Sequence, residues 1–237
     1  MLQSLDQLLG NKLGATDGQL GHVKDFYFDD ENWAVRYIVA DTGNWLSGRL
    51  VLLSPHAFGS FYKDGDYLLV DLTRQQIEKS PGIDSHQPVS RQFEEEYFRY
   101  YGWSSYWGVG GFPMMPQPLP SVDEQEMLSS KNDDPHLRST QEVIGYRIQT
   151  EDGEIGQVSD FVVDDQNWNI HSVIVETGHW YSGKEIAIEP RHIKRISYED
   201  STVFVDLTKA AIQDAPNYHV PTLGEPRKRH VEARSSD

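Results

Sequence analysis

The sequence predicts a mainly β protein: two tandem small β-barrels, each closed by a short helix, joined by an aromatic-rich helical and coil connector. Three observations predict it. Sliding the 237-residue chain along itself by 135 residues gives an ungapped match that sets Glu151 against Thr16, and a repeat of that length is a duplicated domain and not a solenoid unit. Within each copy, β-branched and aromatic runs alternate with turns rich in Gly, Asp and Asn. Each copy then ends on one short helix with a Thr cap and a following Pro.

The elements can be justified in order. Thr16-Asp17-Gly18-Gln19-Leu20-Gly21 matches Glu151-Asp152-Gly153-Glu154-Ile155-Gly156; the Asp-Gly pairs are expected to open a tight hairpin, and Gly21 and Gly156 to mark a bulge or a close backbone approach. The run Val23 to Phe28 stops at Asp29-Asp30-Glu31-Asn32 and resumes from Trp33 to Ala40, a strand, turn and strand repeated around Asp164-Asp165-Gln166-Asn167-Trp168. Further strands are expected over Arg49 to Leu53 and Tyr67 to Asp71, matched by Lys184 to Ile188 and Thr202 to Asp206. Thr73 caps the closing helix, Gln76 completes a capping box, and Leu72 packs on Ile77 as a staple. Leu207, Thr208 and Ile212 repeat that staple, and Pro81 and Pro216 stop the two helices.

Composition changes between the copies. Arg91 to Tyr101 reads as a helix with Phe93, Tyr97, Tyr100 and Tyr101 on one face, ended by Gly102. Trp103, Tyr106, Trp107 and Phe112 follow among glycines, in what reads as a Pro/Gly-rich linker. The expected organisation is therefore a first repeat over 1–81, a connector over 82–136, a second repeat over 137–216 and a disordered tail over 217–237 carrying Arg227-Lys228-Arg229-His230.

Leu20-Gly21-His22-Val23-Lys24-Asp25 and Ile155-Gly156-Gln157-Val158-Ser159-Asp160, set in this order of turns and strands, resemble the PRC-barrel. That β-barrel is shared by the cytoplasmic part of the photosynthetic reaction centre H subunit and the C-terminal domain of the ribosome maturation factor RimM. The resemblance covers 1–81 and 137–216, and the tandem arrangement is similar to bacterial proteins labelled H-subunit-like. It implies a small barrel used as an adaptor surface and carries over no functional residue. The H subunit's membrane helix and RimM's separate first domain are not expected here.

Charge and composition exclude several classes. The 21 Lys and Arg stand against 37 Asp and Glu, a net charge of −16, which repels phosphate backbones, so no nucleic-acid partner is expected. No window approaches the roughly 18 to 20 apolar residues of a membrane span; no secretory signal is visible, and a cytoplasmic location is expected. The absence of Cys removes disulfides and thiolate chemistry. Nine His are scattered without ligand spacing, the Asp-rich turns lack the alternation of a calcium loop, and neither a Gly-x-Ser-x-Gly elbow nor a phosphate loop is present. No metal, no cofactor and no enzyme activity are expected.

Two regions remain as candidate sites. The loops containing Trp45, Ser47 and Arg49, and Trp180, Ser182 and Lys184, each join an aromatic, a hydroxyl and a cation that could grip a carboxylate or a partner peptide; the favoured alternative is that the indoles plug barrel ends and the cations are solvated. The strip Phe93, Tyr97, Tyr100, Tyr101, Trp103 and Trp107 could hold the barrels together, contact a second chain in a homodimer, or dock an outside partner. The leading expectation is a non-enzymatic protein-binding scaffold. The alternatives are a peripheral accessory of a photosynthetic or respiratory electron-transfer complex, implied by the resemblance, and a small-ligand binder or hydrolase using the Trp-loop clefts.

Overall fold

The computed structural model describes residues 1–58, 67–80, 91–103, 137–178 and 183–219. In the first half, β2 (Lys12–Ala15) and β3 (Gly18–Asp29) form the opening hairpin, β4 (Ala34–Asp41) and β5 (Leu50–Leu53) continue it antiparallel, and β6 (Tyr67–Leu69) returns parallel to β2. The second half repeats this with β8 (Arg147–Thr150), β9 (Gly153–Asp164), β10 (Ile170–Thr177), β11 (Glu185–Ile188) and β13 (Thr202–Val205). A strand that the sequence pattern does not announce, β12 (Ile193–Ser197), pairs with β13, and most of its counterpart positions in the first half lie outside the described residues. Helices α1 (Arg74–Glu78) and α4 (Lys209–Asp214) close the halves, with α2 (Arg91–Tyr101) and the short α3 (Thr140–Val143) between them in the chain.

Glycine placement explains the hairpins. In β2–β3, Leu13 opposes Gly21 while Gly14 opposes Gln19, so Leu20 is an extra, bulged residue. A Cβ on Gly21 would stand 1.9 Å from the Asp41 carbonyl oxygen, and one on Gly156 would stand 2.1 Å from that of Glu176. Only glycine admits that approach. Of the Asp-Gly pairs, only the glycines take positive φ. The aspartates do something else: Asp17 accepts the Arg74 backbone N–H at 2.7 Å and Asp152 that of Lys209 at 2.8 Å, fastening each closing helix to its hairpin.

The capping box at Thr73 and Gln76 is present on both sides, and Leu72 and Ile77 are buried beneath it. Thr208 caps α4 by accepting from the Ala211 N–H; alanine there leaves the box half-formed. Ala215 and Pro216 follow α4, and Pro81 lies outside the described residues.

The copies are not stacked side by side. Each begins with a strand that pairs in the other's sheet. β1 (Leu2–Ser4) lies on β9 with Leu2 opposite Asp164, and β7 (Leu137–Ser139) lies on β3 with Leu137 opposite Asp29. Under the 135-residue offset these are the same pairing made twice, so the halves are related by a local two-fold. Its axis passes between Ala34 and Asn169, which bridge each other; Val35 donates to the Trp168 carbonyl at 2.9 Å and Ile170 to that of Trp33 at 2.7 Å. Trp33 (φ 50) and Trp168 (φ 60) make the turn at this crossing. The turn before Trp33 is held by Asp29, whose Oδ1 accepts from Glu31 and Asn32. One hydrophobic cluster then runs through both halves, with Phe28 and Phe161 in ring contact at 5.2 Å.

Candidate functional site

The first Trp loop is closed by its own backbone and by Thr42. The Thr42 Oγ1 donates to the Arg49 carbonyl at 2.7 Å, Trp45 N–H to the Thr42 carbonyl at 3.2 Å, and Gly43 N–H to Asp41 Oδ1 at 2.8 Å. Ser47 is exposed at positive φ (55) at the loop's end. Arg49 is half-exposed, and its guanidinium donates to the carbonyls of Glu78 (3.2 Å) and Ser80 (2.8 Å) at the end of α1. Cations there satisfy carbonyls that a helix leaves open. Lys184 repeats this in the second half, donating to the Gln213 and Ala215 carbonyls at the end of α4. Trp180 and Ser182 lie outside the described residues.

Trp45 is half-buried against the core and receives a different cation. The Arg74 guanidinium stands 4.5 Å over its ring, a cation–π arrangement. Both line a cleft of about 500 Å³ with Gln19, His22, Thr42 and Asn44. The loop signal in the sequence held no trace of Arg74, which lies beyond two strands. The residue that reveals it is Asp17, which pins the first residue of α1 beside Gly18.

The connector packs in cis on the first half. Tyr97 and Phe98 of α2 (Arg91–Tyr101) join Tyr37, Val39 and Leu52 in a second cluster on the outer face of β4 and β5. The Tyr97 hydroxyl donates to the Leu52 carbonyl at 2.9 Å and accepts from Ser54 N–H, and the Tyr37 hydroxyl donates to buried Glu94 at 2.6 Å. Burial pushes the Tyr97 phenol well up, and that of Tyr101 to about 12. Trp103 stacks on Tyr101 at 4.6 Å, and its N–H returns to the Phe98 carbonyl as Gly102 (φ 71) ends the helix. The buried face is thus centred on Glu94, Tyr97 and Phe98, while Tyr100 is 41% exposed and donates to the Gln76 carbonyl. Tyr97, enclosed within its own chain, is not available to a second one. The side chain of Phe93, and Trp107 entirely, lie outside the described residues.

Two carboxylates sit at the strand exchange. Asp25 accepts from Ser139 Oγ at 2.6 Å, Thr140 Oγ1 at 3.1 Å, and the N–H of Gln141 and Phe26. Asp160 accepts from Ser4 Oγ, Asp6 N–H and Phe161 N–H. Burial raises both carboxyls above the ordinary aspartate value, against the pull of these donors. Each therefore belongs to the joint between the halves. A second cleft of about 340 Å³ lies between the halves and α2, with Arg36, His56, Phe98 and Trp168 in its wall. Among the described residues, no three His, Asp or Glu are grouped to hold a metal ion, and no helix is long and apolar enough to cross a membrane.

The two halves, each with a bulged hairpin, a Gly at the close approach and an Asp four positions beyond it, match the PRC-barrel domain over residues 6–77 and 136–212. The chain belongs to the PRC-barrel family. No curated protein matches it. In PRC-barrel terms, the motif residues Gly21, Gly156, Asp25 and Asp160 are structural: the glycines admit a neighbouring carbonyl and the aspartates anchor the exchanged strand.

Proposed function

We propose that this PRC-barrel chain is a non-enzymatic binding and scaffolding module that presents its loops to a protein partner. The observation that carries the reading is where the reactive-looking side chains are used. Arg49 and Lys184 are bound to helix-end carbonyls, and Asp25 and Asp160 hold the exchanged strands. The frame they build is rigid, because each half completes the other's sheet and shares its core. A rigid frame presents loops at little ordering cost, which favours recognition. The net charge of −16 favours a partner with a basic or neutral contact surface.

The test is capture of the full chain, tagged and expressed at native level, after mild cross-linking in the host, with soluble and membrane fractions analysed separately. The reading expects the same partner in repeated captures, and expects it to be lost on denaturing the bait. Recovery of electron-transfer subunits from the membrane fraction would specify a peripheral accessory role. No reproducible partner in either fraction would overturn the module reading.

A further inference from the structure

The two copies differ at one place where the fold does not require it. In the second half the β9–β10 ladder runs on to Gly156 opposite Thr177, and Gly178 N–H then donates to the Ile155 carbonyl. In the first half the ladder ends one pair earlier, at His22 opposite Asp41, and the equivalent Gly43 N–H turns to the Asp41 side chain. The space beside Gln19 to His22 is the 500 Å³ cleft, within the range of ligand sites.

Arg74 is the cation of that cleft. Among the described residues no carboxylate pairs with its guanidinium, its Nε is shielded from solvent without an acceptor, and its Cζ stands 4.5 Å over the Trp45 ring. A guanidinium has five N–H donors in a planar fork that matches a carboxylate. The second copy has Lys209 at this position, a point charge without that fork. Asp17 and Asp41 flank the cleft, one bound to the Arg74 backbone and the other to Gly43. Two neighbouring carboxylates disfavour a dianion such as phosphate more than a monoanion.

We propose that the Trp45–Arg74 cleft of the first half binds a peptide carboxylate, with Arg74 gripping the two oxygens and Gln19, His22 and Asn44 contacting the adjoining peptide. The site rests on the binding-module reading and names its ligand chemistry. The carboxylate comes from a peptide C terminus or from an Asp or Glu side chain, in a sequence that is otherwise neutral or basic, because the acidic body repels more negative ones.

The experiment uses the full chain and an array of random short peptides, each made in three forms: a free C-terminal acid with internal Gln, a C-terminal amide with internal Glu, and a C-terminal amide with internal Gln. Binding of the first form assigns a terminal carboxylate, and binding of the second assigns a side chain. Arg74→Gln should weaken the bound peptide at least about tenfold, Arg74→Lys should recover part of the loss, and Lys209→Gln should change nothing. Amide resonances of Gln19 to His22 and Thr42 to Trp45 should shift on binding, and unchanged melting temperatures establish that the variants fold. The proposal is overturned if the doubly neutral form binds equally, if Arg74→Gln leaves affinity unchanged, or if no peptide binds. Carboxylate-independent binding would leave the module reading standing, whereas that reading falls only with the failure of partner capture.

Discussion

The outer faces of the two sheets carry different residues at matched positions. On the first half Tyr37, Val39 and Leu52 point outward and α2 lies on them; the second half has Ser172, Ile174 and Ala187 at the same places. Inward positions changed little, with Val23 matched by Val158 and Ile77 by Ile212. An inward side chain must fit a core shared by both copies, so its volume is constrained. An outward one is free to diverge, and here divergence selects the half on which the connector docks. Burying Tyr97 and Phe98 there stabilises the docked helix by about 1.5–3 kcal/mol per side chain.

Giving the first half the second half's residue should break this difference most strongly. Tyr37→Ser removes a fully buried ring, its edge contact with Tyr97 and the hydroxyl bound to Glu94. A cost of about 3–5 kcal/mol and a fall in melting temperature of roughly 10 °C are expected, with faster proteolysis after α2. The counterpart Ser172→Ala should cost under about 1 kcal/mol.

Gly21→Ala and Gly156→Ala probe what the halves share. Each new methyl would meet a backbone carbonyl, and a loss of about 2–4 kcal/mol in either half is expected from forced strand separation. Chemical denaturation would measure both, and a much smaller effect in one half would show that its strands can yield.

The carboxylates at the exchange give a pH test with a definite sign. Asp25 and Asp160 are raised above their ordinary value mainly by burial, so the folded state takes up their protons at higher pH than the unfolded chain does. Their contribution to stability therefore grows as pH falls through the folded pKa and levels off below about 3.8; it is lost as pH rises. Asp25→Asn with Asp160→Asn should flatten that part of the stability profile in urea titrations between neutral pH and pH 4. If the flattening came from one site alone, the two joints would not be equivalent.

The smallest effect is expected at the helix ends. Arg49→Ala and Lys184→Ala each remove donors to terminal carbonyls on the surface and should cost about 1 kcal/mol or less. Similar melting shifts for the two would place these cations among the features the copies share.

Much of this was legible in the chain because it is local. The bulge and close-approach glycines, the Thr73 capping box, the Asp29 turn and the end of α2 at Gly102 are set by residues a few positions apart. The buried face of α2 is less legible. Aromatic identity suggested Tyr100, but Glu94 and Phe98 are turned inward because Tyr37 offers a hydroxyl to one and an edge to the cluster around the other. Arg49 is close to Trp45 in the chain, yet the open carbonyls at the end of α1 lie within reach of its long side chain and accept from it.

The sequence by itself determined the duplication, the strands and turns of each copy and the family they belong to, since periodicity, glycine placement and capping act over short stretches of chain. Tertiary structure alone decided that Leu2–Ser4 and Leu137–Ser139 cross to the opposite sheet, that Asp25 and Asp160 hold those strands, and that Arg74 comes to rest over Trp45. A three-residue strand has no periodicity long enough to announce its partner. A cation's partner is chosen by whichever acceptor or ring the fold brings within a few ångströms, and that distance is fixed only when residues far apart in the chain pack together.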